Sequence, residues 1–164
     1  MRSFRLLAVV TLGLGCTDAA GPSLAGPPFV TAIINGIPWT VRAADHAFGQ
    51  LTPESTLVVV GMAIEAPDIY QALGFQVGHV RATGTYTLSS SGDPGPINEG
   101  YYERHSGPGV QTYATGEGNT GQVEITGIDP VEHIVVGTFS FTALLRGGTA
   151  VVRVRQGSFR VNYP

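Results

Sequence analysis

Little in this chain can brace it covalently. It has one cysteine, Cys16, so no disulfide can form within it and the fold must be held by its core alone. Lysine is missing too: all nine basic residues are arginines, set against twelve acids. That balance argues against a nucleic-acid partner, which requires a basic surface. Long apolar runs are absent; the N-terminal one, Leu6 to Leu14, has nine residues, where a membrane-spanning helix needs about 20. No stretch of a dozen residues keeps a helical period, and no longer period marks a repeat protein.

The short apolar run has another use. Arg2 and Arg5 precede it and Leu12-Gly13-Leu14-Gly15-Cys16 closes it, the arrangement of an export signal. Small residues against a cysteine resemble the processing site of bacterial lipoproteins. The resemblance implies that residues 1–15 are removed and that Cys16 becomes an acylated N-terminus, although Gly13 stands where that pattern prefers a branched apolar residue. Acyl chains contribute about 0.8 kcal/mol per buried methylene, so two or three hold a protein at a membrane. A rival cut follows Ser23-Leu24-Ala25, which has small residues at alternate positions. It would discard Cys16 and release a soluble periplasmic or extracellular product. Either cut removes Arg2 and Arg5; the cut before Cys16 leaves seven arginines against twelve acids, a net charge of −5, and the rival, which also removes Asp18, leaves −4.

Behind Cys16, residues 17–28 are mostly Gly, Pro, Ser and Ala, a composition expected of a flexible tether. Residues 29–164 then alternate short apolar runs with turn clusters, which predicts one all-β domain of about eight to ten strands. Asn35-Gly36 joins Phe29–Ile34 to Ile37–Ala43 as a type I′ hairpin, with Ile37, Trp39 and Val41 on one face. Leu57–Ile64 is apolar on both faces, as in a strand covered on both sides. Ile69, Gln71, Leu73, Phe75 and Val77 share a face, with one capped helical turn from Asp68 to Gly74 as the other reading. Gly84–Leu88 is a short strand, Ser89–Asn98 a loop, and Tyr101–His105 with Val110–Thr115 a second hairpin. Gln122–Ile128 alternates, and Gly137, Phe139, Phe141, Ala143 and Leu145 share one face of Ile134–Arg146. In the last strand the apolar positions change parity, from Val152 and Val154 to Phe159, Val161 and Tyr163, so a β-bulge is expected at Gln156-Gly157. The pattern fits an antiparallel β-sandwich or a closed antiparallel β-barrel.

Four pieces together resemble a family of small bacterial lipoproteins of unknown function: Ala32 with Asn35-Gly36 and Trp39, then Gly84-Thr85-Tyr86-Thr87-Leu88, then Gly137-Thr138-Phe139-Ser140-Phe141, then Gly157-Ser158-Phe159. The resemblance implies a β-sandwich-like lipoprotein domain and brings no catalytic residue with it.

Chemistry is sparse. His46, His79, His105 and His133 lie 26 to 33 residues apart, without the close spacing that puts two zinc ligands on one strand or turn. Asp93 with Asn98 is a thin calcium suggestion. Ser89-Ser90-Ser91 lacks a nucleophile elbow. Gly116-Glu117-Gly118-Asn119-Thr120-Gly121 precedes a strand and lacks a lysine, so it is no phosphate cradle. Glu99 and Glu103 on one strand would stand about 13 Å apart, beyond glycosidase spacings. No cofactor or metal is expected, and no catalytic residue. Trp39 shares a face with Ile37 and Val41 and reads as core.

The densest polar and aromatic cluster is Tyr101, Tyr102, Arg104 and His105. Adjacent tyrosines on a strand face opposite ways, and an exposed one beside charge suits a carbohydrate or protein partner. Ordinary edge-strand decoration is its bland equivalent. The sequence therefore points to a non-catalytic envelope lipoprotein acting as an interaction or structural module. A carbohydrate- or small apolar ligand-binding module is the alternative, and a hydrolase assembled from distant residues the second. Mass spectrometry of the mature N-terminus should find acylated Cys16, and a plain start at Gly26 would contradict the anchor.

Overall fold

Asn35 and Gly36 take φ angles of 50° and 86°, the paired positive values of a type I′ turn, and fold β1 (Phe29–Ile34) onto β2 (Ile37–Val41). The computed structural model describes residues 21–42, 46–89, 97–116 and 118–164. The leader with Cys16, Asp93 in its loop and Glu117 in its Gly-rich turn lie outside the described residues.

Nine further strands follow among the described residues: β3 (Ala47–Leu51), β4 (Leu57–Ala66), β5 (Ile69–Val77), β6 (Gly84–Leu88), β7 (Glu99–Ser106), β8 (Gly109–Ala114), β9 (Gly121–Asp129), β10 (Ile134–Leu145) and β11 (Val151–Asn162). Ile69–Val77 is thus strand, not a helical turn. Pairing runs β2-β1-β11-β10-β8-β7-β5-β4-β3, with β9 sharing one side of β10 and β6 added to β9. Every named pairing is antiparallel. The sheet curls until it nearly closes: Gly49 of β3 meets Val161 of β11, and Gly61 of β4 meets Val30 and Trp39. A Cβ on Gly61 would come within 2.9 Å of the Trp39 indole, so only glycine allows that approach. Of the sandwich and the barrel, this single curled sheet fits the barrel.

The interior is filled. Phe75 packs edge-on against Phe159 at 5.1 Å and against Phe139 at 5.5 Å, while Leu57, Val59, Leu73 and Val77 are fully buried. Side chains occupy the space in which a small apolar ligand inside the barrel would have to sit, which removes that reading.

The expected bulge lies where the parity changes. Phe139 pairs Gly157 but Phe141 pairs Val154, and across the strand Thr31 pairs Ser158 but Ile33 pairs Arg155. One extra β11 residue puts Val152, Val154, Phe159 and Val161 into the same core. The division of labour differs from the simplest expectation. Gln156 carries the left-handed conformation, at φ 50°, while Gly157 is needed because a Cβ there would lie 2.5 Å from the Phe139 carbonyl oxygen and 2.7 Å from its ring.

Three elements differ from their sequence reading. β4 is covered on one face only: Val58, Val60 and Met62 are half-buried and Ile64 is exposed, because an antiparallel barrel packs one face of each strand. β3 was not marked by the sequence, since its core positions are the small Ala47 and Gly49. Residues 21–28 do not hang free as a tether. Leu24 lies against Gly127, its carbonyl accepts a 2.8 Å bond from Arg160 Nε, and Gly21 approaches Thr126.

The bulge yields a paired prediction. Gly157→Ala should cost about 1–3 kcal/mol by overpacking, whereas Gln156→Gly should be neutral or stabilising by up to about 1 kcal/mol, since glycine takes a left-handed φ without strain. Urea unfolding checks both, and a Gly157→Ala variant as stable as wild type would contradict the contact.

Candidate functional site

Alternation along β7 divides the aromatic cluster that the sequence offered. Gly100, Tyr102 and Arg104 point to the concave side of the sheet, and Glu99, Tyr101, Glu103 and His105 to the convex side. Tyr101 and His105 are therefore on one face and Tyr102 and Arg104 on the other. β7 lies between β5 and β8, so edge-strand decoration is not the reason for its charges.

On the convex face the polar groups bind one another. His105 stacks on Tyr70 at 3.8 Å and stands 3.4 Å from Glu103, which also accepts a 3.2 Å bond from the Thr112 hydroxyl. Glu99 takes a 2.9 Å bond from Arg146. The Tyr101 ring lies over Gly74. Its hydroxyl pKa is pushed well above the ordinary tyrosine value, first by burial and then by the carboxylates of Glu103 and Glu99.

The concave side opens at one end into a cleft of about 530 Å³. Register builds it from two rows across neighbouring strands. Gly61, Leu73, Tyr102 and Tyr113 form one row, and Ala63, Gln71, Arg104 and Gln111 the next row toward the rim. Trp39 comes over the first row from β2, resting on Gly61, and Glu65 enters from β4 beyond the irregularity between Ile64 and Ala66. Tyr102 and Tyr113 meet at 5.9 Å with their planes tilted by 40°.

A chain of hydrogen bonds orders the wall. The Tyr102 hydroxyl donates to Gln71 Oε1 at 2.8 Å, and Gln71 Nε2 donates to Glu65 Oε1 at 2.6 Å. Burial raises the Tyr102 pKa, Arg104 opposes that shift, and Tyr113 and Glu65 add to it, so Tyr102 remains a neutral donor at ordinary pH. Trp39 is 7% exposed, and its Nε1 is the one buried side-chain nitrogen or oxygen without a hydrogen-bond partner among the described residues. An unpaired buried donor costs about 1–3 kcal/mol.

The described lining offers flat rings, three amides, two phenols, one carboxylate and one guanidinium around a ligand-sized opening. No group of three His, Cys, Asp or Glu side chains able to hold a metal converges among the described residues. Glu65, Gln71, Gln111 and Tyr113 were not singled out in the sequence. One signal was present: Gln71 shares a strand face with Leu73, Phe75 and Val77, and a polar residue on a core face asks for a partner.

Fold and cleft together define a small antiparallel β-barrel domain with one open, mixed polar and aromatic end. The chain belongs to DUF6252, a domain of unknown function whose family model matches residues 27–161. No curated protein and no solved structure matches it.

Tyr101 sets an alkaline limit. Its folded pKa is raised above the 10 of an ordinary tyrosine, so the stability it lends is intact below about pH 10 and is lost as pH climbs beyond, where the unfolded chain sheds its proton first. Tyr101→Phe cannot ionise, so its urea midpoint should fall less steeply than that of wild type above about pH 10; parallel declines would contradict the burial of the phenol.

Proposed function

We propose that this protein is an exported bacterial lipoprotein of the cell envelope, anchored through Cys16, whose DUF6252 domain is a non-catalytic binding module with its site in the barrel-mouth cleft. The leader supports the address. The observation that carries the site is Trp39: the residue lines a cleft with rings and ordered amides, and its indole N–H is buried without an acceptor. Nε1 is closed to solvent, so a ligand acceptor reaches it through a shift of the cleft wall, and the bond then formed recovers the donor's cost.

The geometry supports display of the site. Arg160 holds the segment at Leu24, while Val152 lines the cleft near the other end of the same strand. Eight residues at about 3.3 Å each put these points roughly 25 Å apart. With Gly21 against Thr126, residues 17–20 are the span from Cys16 to the domain, five Cα steps and so a reach of roughly 18 Å at most. Such an anchor keeps one end of the barrel near the membrane and turns the cleft away from it. A non-catalytic role is supported by the lining, which among the described residues includes one carboxylate, Glu65, and neither histidine nor serine. Sugar hydrolysis uses two carboxylates.

Trp39 is the chain's single tryptophan, so its emission reports the cleft directly. Titration of the mature domain with neutral saccharides, acidic saccharides, amino acids and tripeptides should give a saturable emission shift with at least one class, without turnover. Gln71→Ala should weaken that binding about tenfold, equivalent to about 1.4 kcal/mol. Saturable binding by calorimetry that leaves Trp39 emission and the Gln71→Ala variant unaffected would place the site elsewhere.

A further inference from the structure

Building on that binding reading, we infer that the cleft takes a neutral oligosaccharide, with one sugar ring stacked on Tyr113 and its hydroxyls bridging Trp39, Gln71 and Glu65. Four features of the lining lead there. First, the charges balance. Among the described lining residues Glu65 and Arg104 contribute one charge of each sign, so the lining carries no net charge that would select an ion.

Second, the polar groups need a ligand that both donates and accepts. Trp39 Nε1 can only donate, and a carboxylate such as Glu65 can only accept. Gln111 offers both functions in an exposed amide, and Gln71 has a second amide hydrogen beyond the one given to Glu65. A sugar hydroxyl is a donor and an acceptor on one atom, so neighbouring hydroxyls can meet this mixed set. A carboxylate or phosphate ligand would supply acceptors alone.

Third, a ring is within reach. Tyr113 is half-buried and lines the cleft, its plane tilted by 40° to that of the buried Tyr102. The apolar C–H face of a pyranose matches such a surface, as aromatic side chains with one polar end suit partly wet sites. Fourth, the adjoining edge is a poor one for a peptide. β2 borders the cleft with its outer side unpaired, but Pro38 lies within it and lacks the N–H that an added strand would use. Peptide capture by strand addition is therefore disfavoured where a groove-binding peptide would gain most.

The test uses the mature domain, with glucose- and N-acetylglucosamine-based disaccharides to tetrasaccharides, their uronate-containing counterparts, and uncharged tripeptides as probes. Trp39 emission and calorimetry read binding. At least one neutral oligosaccharide should bind, with affinity falling about tenfold or more in Tyr113→Ala and changing less than about threefold in Arg104→Gln, since charge is not what is recognised. Gln111→Ala, at an exposed position, should weaken binding and serves if Tyr113→Ala fails to fold. Binding confined to the acidic saccharides and abolished by Arg104→Gln would overturn the neutral-sugar assignment and leave the cleft as the binding site. Binding of tripeptides alone, with the same cleft variants affected, would do the same. Failure of every probe would count against both the ligand class and the binding reading.

Discussion

One extra residue in β11 holds the architecture together. That strand lies between β1 and β10, and its two halves must both feed the interior although their apolar residues fall on positions of opposite parity. The bulge at Gln156-Gly157 resolves the conflict locally, by a left-handed Gln156 and by a Gly157 that lets the Phe139 carbonyl and ring come close. Without it, either Val152 and Val154 or Phe159 and Val161 would turn outward, since a one-residue slip moves every later side chain to the other face. The Phe75, Phe139 and Phe159 cluster forms because the second half of β11 has been re-aimed.

The same strand separates the two ends of the domain. Past the bulge, Arg160 carries a buried guanidinium that pins the backbone at Leu24; before it, Val152 closes one side of the cleft. The packed aromatic layer lies between. The open end is thus set on a filled barrel, and the polar rows across β4, β5, β7 and β8 begin where the core stops. Their order follows from register alone: once Leu73 is buried opposite Tyr102, the next inward residues, Gln71 and Arg104, must reach the rim.

Much of this was legible in the residues, for identifiable reasons. Asn35-Gly36 fixes a turn type, and the parity change in the last strand requires a bulge, because both signals are local. The cleft was not, because its groups come from strands distant in sequence and meet only through pairing. The cluster of Tyr101, Tyr102, Arg104 and His105 looked like one surface because it is contiguous, yet alternation assigns its members to two faces. Glu65 lies one residue past Ile64, where the apolar run that marks the strand ends, although the strand itself continues to Ala66. β3 escaped because Gly49, a weak strand former, is what lets β3 approach Val161. The family whose model matches residues 27–161 is one of unknown function.

The central claim is that the orphan indole N–H of Trp39 is completed by a ligand. With a single tryptophan in the chain, a nitrogen-15 and proton correlation spectrum of the mature domain contains one indole resonance. On saturation with a neutral oligosaccharide that binds, that resonance should move downfield and exchange more slowly with solvent, as a newly formed hydrogen bond requires. An indole signal that stays in place while the ligand saturates the protein would contradict the account.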